Sequence, residues 1–165
     1  YGEYDVFPGQ QSAMLPVDGT IARGYSLFDY GSSNDEFLRA KAELMSPLDS
    51  TQVDLNRGKE LYDIYCGICH GNKGDGQGTL VKREKFLGIP SLADKGRNIT
   101  EGDIYHVMMY GLNSMGSYAS QTNEKERWQI TMHALDLKSK LNGEPLWSST
   151  QKDSMEKETT SNEAN

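Results

Sequence analysis

Seven consecutive residues, Tyr65-Cys66-Gly67-Ile68-Cys69-His70-Gly71, carry the most specific chemistry in the chain. They read C-x-x-C-H, the attachment signature for a c-type haem. Two sulfurs at this spacing can form thioethers to the two vinyl groups of one porphyrin. The histidine directly after the second cysteine is then held beneath the ring, where a neutral imidazole can bind iron. Three other chemistries use a bare C-x-x-C. A thioredoxin-like redox pair needs a surrounding βαβ pattern, which this sequence lacks. A structural zinc site wants four ligands, yet Cys66 and Cys69 are the only cysteines. A disulfide closing so tight a loop constrains an unfolded chain poorly. The adjacent histidine and the lack of further cysteines weigh toward one covalent haem.

Haem iron takes a second axial ligand opposite His70 unless the site is open for catalysis. The available side chains are Met14, Met45, Met108, Met109, Met115, Met132, Met155, His106 and His133. Met115 stands out because it sits in Gly111-Leu112-Asn113-Ser114-Met115-Gly116-Ser117-Tyr118, a loop that can swing a thioether toward an open haem face. Met109 is next. Met108 and Met109 otherwise read as core residues. His106 and His133 both fall on polar helix sides and read as surface histidines. A neutral thioether favours Fe(II) relative to a second imidazole, and a haem closed on both faces points to electron transfer.

The elements that must position these groups are mainly helical. Asp54 can cap a helix carrying Leu55, Leu61, Ile64, Tyr65 and Ile68 on its apolar side and leading into the motif. Gly71 to Gly78 is too rich in glycine for helix or strand and lacks the G-K-[ST] ending of a phosphate loop, so it reads as a loop hugging the haem edge. Gly88-Ile89-Pro90-Ser91-Leu92 is an extended turn. Thr100-Glu101-Gly102-Asp103 is an acidic capping box opening a helix with Ile104, Val107 and Met108. Asn123 to Glu126 is another, starting a helix to about Leu141 in which Trp128, Met132 and Leu135 form one apolar row.

Residues 1–50 have a different texture. Pro8-Gly9, Pro16, Asp18-Gly19 and Gly24 break any period, and only one short helix is expected, over about 34–45, with Asn34 as cap. Tyr1, Tyr4, Phe7, Tyr25, Phe28 and Tyr30 are too many aromatics for a free linker, so this segment reads as an extended arm lying on a partner. The haem domain then spans 51–147, and 148–165 reads as a disordered tail.

The totals narrow the setting. A length of 165 residues suits one compact domain of about 100 residues plus extensions. No apolar run approaches the ~20 residues needed to span a bilayer. Tyr1-Gly2-Glu3-Tyr4 has neither the basic start nor the apolar stretch of a signal peptide, and reads as an already processed N-terminus. A net charge of −7 argues against nucleic acid and for charge-steered docking on less acidic or basic protein surfaces.

The motif, the glycine loop, Pro90, the helix from Thr100, Met115 and the last helix together resemble a class I cytochrome c domain over about residues 51–141. That resemblance implies that the Pro90 carbonyl accepts a hydrogen bond from the other nitrogen of His70 and so fixes its tautomer. The sequence departs from many family members at Gly116, where they place proline after the methionine; this bears on the stiffness of the Met115 loop. Met14-Leu15-Pro16-Val17-Asp18-Gly19-Thr20-Ile21-Ala22-Arg23-Gly24, with Leu55-Asn56-Arg57-Gly58-Lys59-Glu60, is similar to the monohaem cytochrome subunit of alternative complex III. That family belongs to a bacterial respiratory assembly that oxidises membrane quinol.

This likeness implies an electron-transfer subunit without substrate chemistry of its own. Its partners would be multihaem cytochrome or iron–sulfur subunits and an acceptor cytochrome or oxidase. Its place would be the periplasmic face of the membrane, held there through its partners or as a lipoprotein through an anchor outside this sequence. Two alternatives are a cytochrome subunit of a periplasmic dehydrogenase or oxidase, or a soluble shuttle, and a haem enzyme or gas sensor with an open iron site.

Overall fold

Each long helix begins where a short polar side chain takes a free backbone N–H. A computed structural model describes residues 6, 17–20, 27–49 and 51–149. It contains α1 (Asn34–Glu43), α2 (Leu55–Tyr65), α3 (Gly67–His70), α4 (Thr79–Lys82), α5 (Glu101–Tyr110) and α6 (Glu124–Asn142). Ser33, rather than Asn34, caps α1, and Asp54 caps α2. Capping boxes open α5 at Thr100 and α6 at Asn123, as their sequences require. Among the described residues there is no strand, only an isolated bridge between Leu112 and Met115. No described helix is long and apolar enough to cross a membrane.

Two apolar clusters meet along α6. On one side Leu61 and Tyr62 of α2 and Met108 of α5 pack on Ile130, Ala134 and Leu137. On the other, Tyr105 stacks on Trp128 with ring centroids 4.3 Å apart, beside Met132. Each such buried side chain contributes roughly 1.5–3 kcal/mol. A cap contributes about 1, so packing rather than capping holds α6 in place. The backbones of α2 and α6 touch at Gly58, where a Cβ would stand 2.2 Å from the Gln129 carbonyl oxygen. The buried stripe of α2 is Gly58, Leu61 and Tyr62, with Tyr65 against it. Ile64 falls off that stripe and is 63% exposed, and Ile68 is also exposed, contrary to the apolar side expected for α2.

The second cluster reaches into the segment read as a partner-binding arm. Phe28, Leu44 and Leu48 pack on it. Phe28 lies 5.3 Å from the Tyr105 ring, and Ala40 of α1 is wholly buried. Residues 27–49 therefore cover their own domain. The rest of the arm lies almost entirely outside the described residues, as does the tail beyond Ser149.

This covering overturns the reading of His106 as a surface residue. It is 3% exposed, donates from Nε2 to the Gly31 carbonyl at 2.8 Å, and meets the Phe37 ring edge-on. His133 is also buried, at 8% exposure, because α2 crosses α6 and sets the Tyr62 ring against it. Asp136, on the same side, is closed off by Ser148, which donates to it from both N and Oγ. A helical-wheel reading sees none of these covers, since all come from distant parts of the chain.

Two outcomes follow. Gly102 of α5 sits under α1 with its missing Cβ 1.8 Å from the Ala40 carbonyl oxygen. Gly102→Ala should gain about 1 kcal/mol of helix propensity and lose more by forcing α1 away, a net destabilisation of roughly 1–3 kcal/mol by urea unfolding. Burial, with Lys140 nearby, lowers the pKa of His133, against the weaker upward pull of Asp63 and Asp136. The unfolded chain then binds a proton that the folded one resists. Stability should fall as pH drops below about 6.5, and His133→Gln should flatten that part of the profile.

Candidate functional site

α2 runs directly into the sulfur-bearing turn. Cys66 N donates to the Tyr62 carbonyl at 2.8 Å, and Cys69 and His70 donate back to the Cys66 carbonyl at 3.1 and 2.9 Å. The two thiols are half-buried and unpaired. Burial first, and the neighbouring Cys69 second, push the Cys66 thiol up to about 12. A thiol so protonated is a poor redox nucleophile, which disfavours the thioredoxin reading. Among the described residues, moreover, no three His, Cys, Asp or Glu side chains gather as a metal site.

The glycine loop then folds back on the motif. Gly76 N donates to the His70 carbonyl at 2.8 Å and Gly78 N to the Cys69 carbonyl at 3.1 Å. Leu92 N reaches the Gly74 carbonyl at 2.8 Å, so the loop ties the motif to the Gly88–Leu92 segment. Gly76 has φ +76°, and a Cβ there would stand 2.5 Å from the Ile89 carbonyl oxygen. Only glycine allows both that conformation and that approach. The bare backbone of this loop thus meets other backbone of the site.

A cavity of about 380 Å³ opens in front of these elements, a size ordinary for a bound organic group. Cys66, His70, Pro90 and Met115 all line it, with Tyr62 and Met108 among its walls. Cys69 stands beside it in the same turn without lining it. Met115 reaches the cavity from the loop after α5, through a tight turn. Leu112 N donates to the Met115 carbonyl at 2.9 Å and Met115 N to the Leu112 carbonyl at 3.0 Å, with Asn113 at φ +54°. Ser117 Oγ and Tyr118 N then fasten the following residues to the Met109 and Met108 carbonyls. These bonds supply the stiffness that proline would give at Gly116.

The competing ligands separate cleanly. Met109 packs in the second cluster, Met132 is buried there, and Met45 is exposed. Neither His106 nor His133 lines the cavity. Met14 and Met155 lie outside the described residues. Met108 does line the cavity, but as a helix residue 2% exposed within the first cluster.

The residues fit a covalent haem. Burial lowers the pKa of His70, which keeps its imidazole neutral as an iron ligand must be. Its Nδ1 is buried with no hydrogen-bond partner. The bond expected from Nδ1 to the Pro90 carbonyl is therefore not made; that oxygen lies instead beside Gly76, 3.2 Å from where a Cβ would be. An imidazole, a thioether and the Cys66 thiol on an apolar cavity, with the Cys69 thiol in the same turn, suit haem c, which when bound supplies reversible one-electron transfer.

Residues 53–133 match the family model described as cytochrome c oxidase, cbb3-type, subunit III. No curated protein matches the chain. The match, the helical fold and the cavity together support a class I cytochrome c domain, which implies covalently bound haem c and electron transfer.

If Met115 is the second ligand, Met115→Ala should abolish the weak absorption band of Fe(III)–thioether ligation and lower the reduction potential. Met109→Ala should leave both unchanged. The reverse pattern would transfer the role to Met109.

Proposed function

We propose that the chain is a monohaem electron-transfer subunit of a membrane-bound respiratory complex, with thioethers at Cys66 and Cys69 and axial ligands His70 and Met115. The observation that carries this reading is the meeting of His70 and Met115, from separate elements, on one apolar cavity with Cys66 at its wall. With His70 and Met115 as the two axial ligands of this reading, no position would remain for a substrate, which speaks against an open-site enzyme or sensor. The chain's own work is to keep the imidazole neutral, exclude water with Tyr62 and Met108, and hold the thioether in a bonded turn.

The similarity of Met14–Gly24 and Leu55–Glu60 to the monohaem subunit of alternative complex III supports quinol oxidation as the reaction of the whole assembly. Multihaem and iron–sulfur subunits are then the partners, at the periplasmic face, with a lipid anchor ahead of Tyr1. A second reading, an oxidase subunit, is favoured by the description of the matching family model.

The discriminating experiment is purification of the tagged chain from detergent-solubilised membranes. Co-purifying multihaem and iron–sulfur subunits with quinol:cytochrome c activity would support the first reading, and a haem–copper oxygen reductase the second. Haem that leaves the polypeptide in acid–acetone would overturn both. Because residues 27–49 pack on the domain, partner binding falls to the part of the arm before them. Deleting residues 1–26 should preserve the haem spectrum yet release the subunit and reduce electron flow from quinol. A truncated subunit that stays bound with full activity would remove the docking role from the arm.

A further inference from the structure

The wall of the cavity includes two residues that precede the family match. Phe37 and Lys41, one turn apart on α1, line it together with His70 and Met115. Lys41 is held at both ends. Its ammonium donates to Asp103 Oδ2 and to the Arg97 carbonyl, each at 2.8 Å, while its own carbonyl accepts from Thr100 Oγ1 at 2.9 Å. Asp103 also lines the cavity, and its Oδ2 accepts from Thr100 N at 3.0 Å. Its Oδ1 is buried without a partner. Gly102, lacking a Cβ, lets the Ala40 backbone approach α5 and brings α1 close to the cavity.

The setting of this pair differs from that of the other ion pairs. The Lys41 side chain is 24% exposed and that of Asp103 9%, whereas Arg57, paired with Glu60 and Glu126, is 44% exposed. Water and salt screen the latter strongly. Charges bordering an apolar cavity act at lower effective dielectric and over longer range. Reduction removes one positive charge from iron, so a nearby cation favours Fe(II) and a nearby carboxylate favours Fe(III).

We propose that α1 is a wall of the haem site, and that the Lys41–Asp103 pair on it sets the reduction potential of the iron held by His70. The proposal rests on the haem reading given above. Lys41 is a positioning residue: it acts through its charge, without binding iron.

The test is a spectroelectrochemical titration of the full-length haem-loaded protein and three variants. Lys41→Met should lower the potential, since it removes the cation and leaves the carboxylate. Asp103→Asn should raise it, since it does the opposite. Lys41→Arg should stay near the parent. Both charge-removing variants break the same ion pair, so a merely structural role would move the potential in one direction or not at all. Either of those outcomes overturns the proposal. Should Lys41→Met not accumulate, Lys41→Gln and the sign of the Asp103→Asn shift decide in the same way. Loss of covalent haem in the parent protein would instead defeat the haem reading itself.

Discussion

Helix α6 is buried without interruption from Arg127 to Leu137, polar and apolar residues alike. A helix so enclosed must be covered on every side, and each polar group it hides needs a partner. Much of the remaining structure answers that demand. α2 covers Gln129 and His133, Ser148 closes on Asp136, and Arg127 turns its guanidinium over the Tyr105 ring while donating to the Thr122 carbonyl. The cost is visible at Arg127 Nε and His133 Nε2, which are buried without partners. Enclosure of α6 also puts Ile130 and Ala134 on the wall of the cavity, so the helix that organises the core borders the candidate haem site.

Features written in neighbouring residues were legible in the sequence. The Asp54 cap, both capping boxes and the C-x-x-C-H turn depend on side chains within a few positions of the backbone they serve. Met115 was legible for a related reason: glycines on both sides remove it from any helix face, and the structure sets it on the cavity. What the sequence hid was long-range cover. His106 lies off the apolar face of its own helix, and nothing near it announces Gly31, Phe28 and Phe37 coming from the arm. Ile64 erred in the other direction. It is apolar and near the motif, but the stripe through Gly58, Leu61 and Tyr62 leaves it outside.

The glycine loop shows how the same residue type can serve an unexpected neighbour. A loop lying close to a flat prosthetic group and a loop lying close to other backbone both require glycine, and composition alone does not distinguish them. Here Gly76 approaches the Ile89 carbonyl while its N–H holds the His70 carbonyl. That arrangement couples the sulfur-bearing turn to the Pro90 segment through backbone bonds. It leaves the His70 ring oriented by packing and by its place in the turn, without a bond from Nδ1.

Stiffness at the other candidate ligand, Met115, is reached by another route. Proline after a methionine would restrict one φ angle, whereas the Leu112–Met115 turn restrains four residues through two reciprocal bonds and adds anchors at Ser117 and Tyr118. The thioether can thus be held where a purely local reading of Gly116 leaves it loose. The two candidate ligands are consequently fastened to different bodies: His70 to α2 and the glycine loop, Met115 to the end of α5. α6 packs against both helices and is the common support between them. Distance between the two candidate ligands therefore depends on the tight backbone crossing at Gly58 and on the Met108–Ile130 packing. Both lie far in sequence from the motif that first identifies the site.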